Sequence, residues 1–109
     1  MYPYRYNGPG FTVRLSEEFQ RWLDAIPDKR AQVRIFARLR MAEEGNLGDW
    51  SPVGRMVSEM RVHVGPGYRL YFTLRRRVLV IMLAGGDKSS QSRDIMRAQR
   101  IASELDEDP

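Results

Sequence analysis

Two spacings of apolar residues alternate along this chain, one near four residues and one of two, and they predict seven elements. Residues 11–15 read as a short strand with Phe11, Val13 and Leu15 on one face. Ser16 then stands where a helix cap is expected, and Glu17 and Glu18 follow in the first turn, where negative charge suits the helix dipole. Phe19, Trp22, Leu23 and Ile26 recur at i, i+3, i+4 and i+7, the stripe of an amphipathic helix that Pro27 ends. Asp28 is placed to cap a second helix running to about Glu44, with Gly45 as its stop. Its expected buried stripe is Ala31, Ile35, Leu39 and Ala42, widened by Phe36. Arg30, Arg34 and Arg38 form a row on another side, either a solvated face or a contact for nucleic acid or protein.

Residues 46–54 are rich in turn formers and read as a loop. Three strands follow, over 56–64, 68–74 and 78–84, joined so closely that an antiparallel meander is expected. The third, VLVIMLA, is apolar on both faces and should lie in a covered, central position. Ser89 or Ser90 can cap a last helix with Ile95, Ala98, Ala102 and Leu105 on one side and Arg93, Arg97 and Arg100 on another. The order β-α-α-β-β-β-α predicts one α+β domain over residues 11–105, with helices packed on an antiparallel-rich sheet. Residues 1–10, interrupted by Pro3, Gly8, Pro9 and Gly10, read as a flexible lead-in, and 106–109 as a frayed tail.

A chain of 109 residues supports one modest core. No apolar run approaches the ~20 residues of a membrane span, and the first residues lack the apolar segment of a signal peptide. A cytoplasmic protein is expected. With no cysteine, disulfides and thiolate metal sites are excluded. The net charge of +4 points to an anionic partner, and only Lys29 and Lys88 of the 18 basic residues are lysine. Arginine forks suit phosphates bidentately, although a GC-rich genome produces the same bias.

The chemistry concentrates between residues 58 and 91. If Gly65-Pro66-Gly67 is a three-residue connection, Val64 lies opposite Tyr68. His63 then faces Arg69, Arg61 faces Tyr71 and Glu59 faces Thr73, all on one open side of the sheet. Such a set matches metal-free RNA cleavage: arginines to stabilise the phosphorane, and His63 as proton carrier, since imidazoles ordinarily titrate near pH 6.5. Glu59 or Tyr71 is its counterpart. The stretch 85–90, GGDKSS, opens a helix, where backbone N–H groups and Lys88 can hold a phosphate. It lacks the spacing of a nucleotide-hydrolysing P-loop. Arg75, Arg76 and Arg77 of the hairpin turn, with Arg93 and Arg97, are further candidates for contact with RNA. Each feature also has an ordinary structural reading as a surface histidine, solubilising arginines or a helix cap. One histidine and scattered carboxylates provide no metal cluster, and no cofactor is expected.

At these residues the chain resembles the RelE/ParE superfamily of type II toxins, and within it the small "addiction module killer" group related to HigB. The resemblance rests on VSEMRVHVGPGYRLYF at 57–72, LAGGDKSSQSRDI at 83–95 and WSPVG at 50–54, and covers roughly residues 11–105. It implies a compact sheet flanked by two N-terminal helices, bound by a cognate antitoxin, with a helix-turn-helix protein as the expected partner. Operator DNA would then be met only through the antitoxin complex. It also implies either cleavage of mRNA in the ribosomal A site or, as in ParE-like members, poisoning of DNA gyrase; a relic that merely binds nucleic acid is a third reading. Arg69 matches the arginine that stabilises the cleaved phosphate, Arg61 a basic residue on the preceding strand after a one-residue gap, and Lys88 a basic position after the last strand. Where some relatives carry a tyrosine or histidine as acid or base, this chain has Ser89, Ser90 and Gln91. The expected function is that of a ribosome-dependent mRNA endonuclease toxin, with His63 supplied by geometry instead of by the family.

Overall fold

The computed structural model describes residues 10–76 and 78–107. Its elements are β1 (Thr12–Leu15), α1 (Glu17–Asp24), α2 (Lys29–Glu43), β2 (Trp50–Gly54), β3 (Val57–Val62), β4 (Tyr68–Arg75), β5 (Leu79–Asp87) and, after a 3-10 turn at Lys88–Ser90, α3 (Gln91–Glu107). The five strands form one sheet in the order β1-β5-β4-β3-β2. It is antiparallel except where β1 runs parallel to β5. The α+β class and the covered, internal position of the apolar strand are as expected. The predicted lead-in falls on residues outside the description apart from Gly10, and α3 continues to Glu107 through part of the expected tail.

Both helix caps are realised. Ser16 Oγ accepts from Phe19 N–H at 3.0 Å and also donates to Leu83 O at 2.9 Å, so one side chain starts α1 and ties it to β5. Asp28 Oδ1 accepts from Arg30 N–H at 2.9 Å. Gly45 ends α2 in the left-handed region at φ 95°. The segment 50–54 is an edge strand and not a loop. Proline discourages a strand reading, but an edge strand tolerates the missing N–H of Pro52.

The sheet is covered on both faces. Phe19, Leu23, Ile35, Met60, Leu70, Phe72 and Met82 form the core under α1 and α2. Val57, Tyr71, Leu83, Ala84, Ala98 and Ala102 form a second, smaller core under α3. Two predicted core residues lie outside: Phe36 is 51% exposed and Leu105 37%. Each sits at the margin of its helix stripe, beyond the reach of the sheet. A bulge in β5, where Tyr71 pairs with Ala84 and Phe72 with Met82, turns the strand between the two layers. Beyond it, a Cβ on Gly85 would lie 2.2 Å from the Trp22 ring and one on Gly86 1.9 Å from Asp94 Oδ2. The double glycine therefore lets α1 and α3 close on opposite faces of the same two residues. Both glycines are buried within β5, so they form no phosphate-cradling loop.

Candidate active site

The β3–β4 pairing differs from the expected register by two residues: Arg61 lies opposite Arg69, and Glu59 opposite Tyr71. The connection takes five residues instead of three, because β3 ends at Val62 and Val64 N–H turns back to Val62 O at 3.0 Å. A shift of two preserves the face on which each side chain stands. Arg61, Arg69, Glu59 and Tyr71 thus remain together, while His63 leaves the strand for the loop.

That face, expected to be open, is partly covered by α3. Glu59 is only 2% exposed and Tyr71 fully buried. The Glu59 carboxylate accepts from Arg61 Nη1 at 3.0 Å, from Arg69 Nη1 at 2.8 Å and, through its other oxygen, from Gln91 Nε2 at 2.8 Å. It bridges two facing guanidiniums that would otherwise repel. The Tyr71 hydroxyl is pushed well above its ordinary range, first by burial and then by the charges of Glu59 and Asp94.

Asp49, in the loop ahead of β2, is a second organiser that the sequence reading missed. Its Oδ1 accepts from Arg61 Nη2 at 2.8 Å and Nε at 3.2 Å, and its Oδ2 lies 2.8 Å from His63 Nε2. Ser51 Oγ accepts from Arg61 Nη1 at 3.0 Å. The loop is itself tethered by Arg38, which donates to Leu47 O at 2.9 Å, to Asp49 O at 3.4 Å and to Arg61 O. Arg38 is therefore withdrawn from the expected solvent row with Arg30 and Arg34. No local spacing signals these contacts, since Asp49 lies 12 and 14 residues from its two partners.

Hydrogen bonds from Arg61 and then His63 hold the Asp49 carboxyl down at about 2. The folded value is depressed, so the stabilisation is fully present above the ordinary carboxylate range near pH 4 and is lost as pH falls through about 2. A side-chain carbon NMR titration should place the Asp49 midpoint near 2. Arg61→Gln should move it upward toward the ordinary value. A wild-type midpoint near that ordinary value would show that the pairing does not hold in solution.

Arg61, His63, Arg69 and Lys88 line one open groove of about 370 Å³, walled by the hairpin loop and by Tyr68. Lys88 is brought there by its N–H bond to Gly67 O at 3.0 Å. The turn it begins is capped by Asp87, whose Oδ1 takes both Ser89 N–H at 2.8 Å and Ser89 Oγ–H at 2.5 Å. The expected cap by Ser89 or Ser90 is thus supplied by Asp87. That carboxylate occupies an amide that a phosphate would need, so Lys88 offers its side chain and not a backbone nest.

The remaining candidates do not gather here. Arg75 pairs with Leu79 and Arg76 lies in the turn beyond, about 20 Å along β4 from Arg69; Arg77 is outside the described residues. Arg97 is held by Glu18 at 2.7 Å and Asp94 at 3.0 Å, which ties α3 to α1. Arg93 is exposed at the start of α3; the Asp87 carboxyl is held below its ordinary range first by the hydrogen bonds from Ser89 and only last by the charge of Arg93. Among the described residues no three histidine, aspartate or glutamate side chains come together as a metal-binding set, and no helix is long and apolar enough to cross a membrane.

Comparison with known proteins adds a family to this geometry. An uncharacterized protein of Haemophilus influenzae is 40% identical over 93 residues, which is 85% of this chain and 94% of the relative. A family model described as phage-derived protein, Gp49-like (DUF891), matches residues 21–104, a span that contains every side chain of the groove. The chain belongs to the phage-derived Gp49-like family, a toxin-like addiction-module family.

Proposed function

We propose that this protein is the toxin of a type II toxin–antitoxin pair and cleaves mRNA on the ribosome by metal-free transesterification. The observation that carries the reading is the convergence of Arg61, His63, Arg69 and Lys88, from two strands, a hairpin loop and a 3-10 turn, on one groove. Three fixed cations there face two carboxylates, Asp49 and Glu59, both already engaged by those arginines. The excess positive charge suits a single phosphate.

In this reading the 2′-oxygen attacks the adjacent phosphorus and the bond to the 5′-oxygen breaks, leaving a 2′,3′-cyclic phosphate and a 5′-hydroxyl. Arg61 and Arg69 stabilise the charge on the phosphorane, and Lys88 assists from the rim. His63 takes the proton of the 2′-hydroxyl, and a solvent molecule supplies one to the departing 5′-oxygen. A carboxylate only accepts, so Asp49 fixes the proton of His63 on Nε2 and leaves Nδ1 as the basic nitrogen. Glu59 and Asp49 act as positioning residues. Tyr71, neutral and buried, belongs to the core beneath the site.

An antitoxin, in the same reading a helix-turn-helix protein that carries the operator contact, neutralises the toxin in the cytoplasm where the ribosome is the target. The test is incubation of purified protein with translating ribosomes on a defined mRNA. Cuts at the A site that vanish in a His63→Ala, Arg69→Ala double variant are expected. Uncut mRNA together with lost DNA supercoiling would transfer the reading to gyrase poisoning. Harmless overexpression without antitoxin would mark a relic.

A further inference from the structure

The groove that holds Arg61 and Arg69 is bounded by the hairpin loop, and a second groove lies on the α2 side of that loop. Val64 forms part of the wall of the first and also part of the second, of about 510 Å³, completed by Lys29, Arg30, Val33 and Arg34. These four stand at i, i+1, i+4 and i+5 on the first turns of α2 and so share one side of the helix. The opposite stripe of α2 is buried against the sheet, which fixes this side toward solvent. Val33 is 64% exposed, an apolar floor between cations. Lys29, Arg30 and Arg34 form no ion pair with a carboxylate among the described residues. Like charges one helical turn apart repel until an anion arrives.

We infer that this α2 groove is a second subsite for single-stranded RNA, holding nucleotides that flank the phosphate bound between Arg61 and Arg69. The inference rests on the nuclease reading and extends it. Phosphates meet Lys29, Arg30 and Arg34, and a base covers Val33 and Val64. A basic groove with an apolar floor is the general form of a sequence-tolerant single-strand site. An acidic, apolar peptide has matching charge as well. The shared wall at Val64 favours one polymer crossing both grooves over a separate protein on α2.

The test measures anisotropy of a fluorescent, 2′-O-methylated 12-nucleotide RNA against salt for three proteins: wild type, a Lys29→Ala, Arg30→Ala, Arg34→Ala variant, and an Arg61→Ala, Arg69→Ala variant. Thermal melts confirm that each is folded. The α2 variant should bind at least about tenfold more weakly, and its log–log salt slope should fall by about 2, as expected for three lost contacts on a single strand. Wild-type affinity and slope in the α2 variant, with weakened binding in the Arg61, Arg69 variant, would overturn the second subsite and leave the nuclease reading intact. Unchanged RNA binding with lost capture of the antitoxin would overturn it in favour of a protein-docking face. Absence of RNA binding by the wild type would overturn the second subsite, and the ribosome assay above then decides the nuclease reading by itself.

Discussion

Replacing Arg69 with alanine should slow cleavage by about 10²–10³-fold, the usual cost of one donor aimed at developing charge. Arg69 is held for that task before any substrate arrives. Its Nη1 is fixed by Glu59 at 2.8 Å, its strand neighbour on β5 is Gly86, which has no side chain to shield it, and Arg61 lies directly opposite. The fold should survive, because Glu59 keeps Arg61 and Gln91 as partners. The measurement is the single-turnover rate on ribosome-bound mRNA. Arg69→Lys should recover only part of the rate, since an ammonium restores charge but not the fork. A rate within about threefold of wild type for the alanine variant would remove Arg69 from the transition state; oxyanion-donor losses are far larger than that.

Replacing Glu59 with alanine should instead act on the fold. The carboxylate is buried and accepts from three donors. Its removal leaves two guanidiniums facing each other with no charge between them. Breaking a buried pair from one side costs about 3–5 kcal/mol. For a domain of this size that lowers the melting temperature by roughly 12–25 °C. Glu59→Gln keeps the shape and should cost less, because one amide oxygen still accepts. Combining Glu59→Ala with Arg69→Met should cost less than the sum of the two, the coupling expected of groups in one network. Purely additive losses, or a Glu59→Ala variant melting within a few degrees of wild type, would show that the arginines do not depend on this carboxylate.

Local signals in the chain were legible where one element decided the outcome. Ser16, Asp28 and Gly45 mark helix ends by their own chemistry, and the stripes of α1 and α2 follow from spacing. The polar face survived an error in register because side chains alternate with period two. The pairings did not survive it: the length of the hairpin loop depends on Val64 and Gly67 folding back, which no residue type announces. Asp49, Ser51 and Gln91 were invisible for a different reason. Each reaches the site through the closure of the whole domain, Gln91 from 32 residues away. Arg38 shows the limit of helical periodicity itself. It follows Arg34 by one turn, yet a loop from elsewhere folds over it and consumes its donors.

The strand at 50–54 also bears on how this protein meets other chains. β2 forms one margin of the sheet, is five residues long, carries Pro52 without an N–H to offer, and runs into a register shift and a left-handed turn at Arg55 and Met56. Short length, proline and irregularity are the means by which sheet margins avoid recruiting a foreign strand. This margin is therefore a poor template for strand addition. A partner that approaches from that side meets side chains such as Trp50 instead of free backbone, and its recognition is written in residue identity.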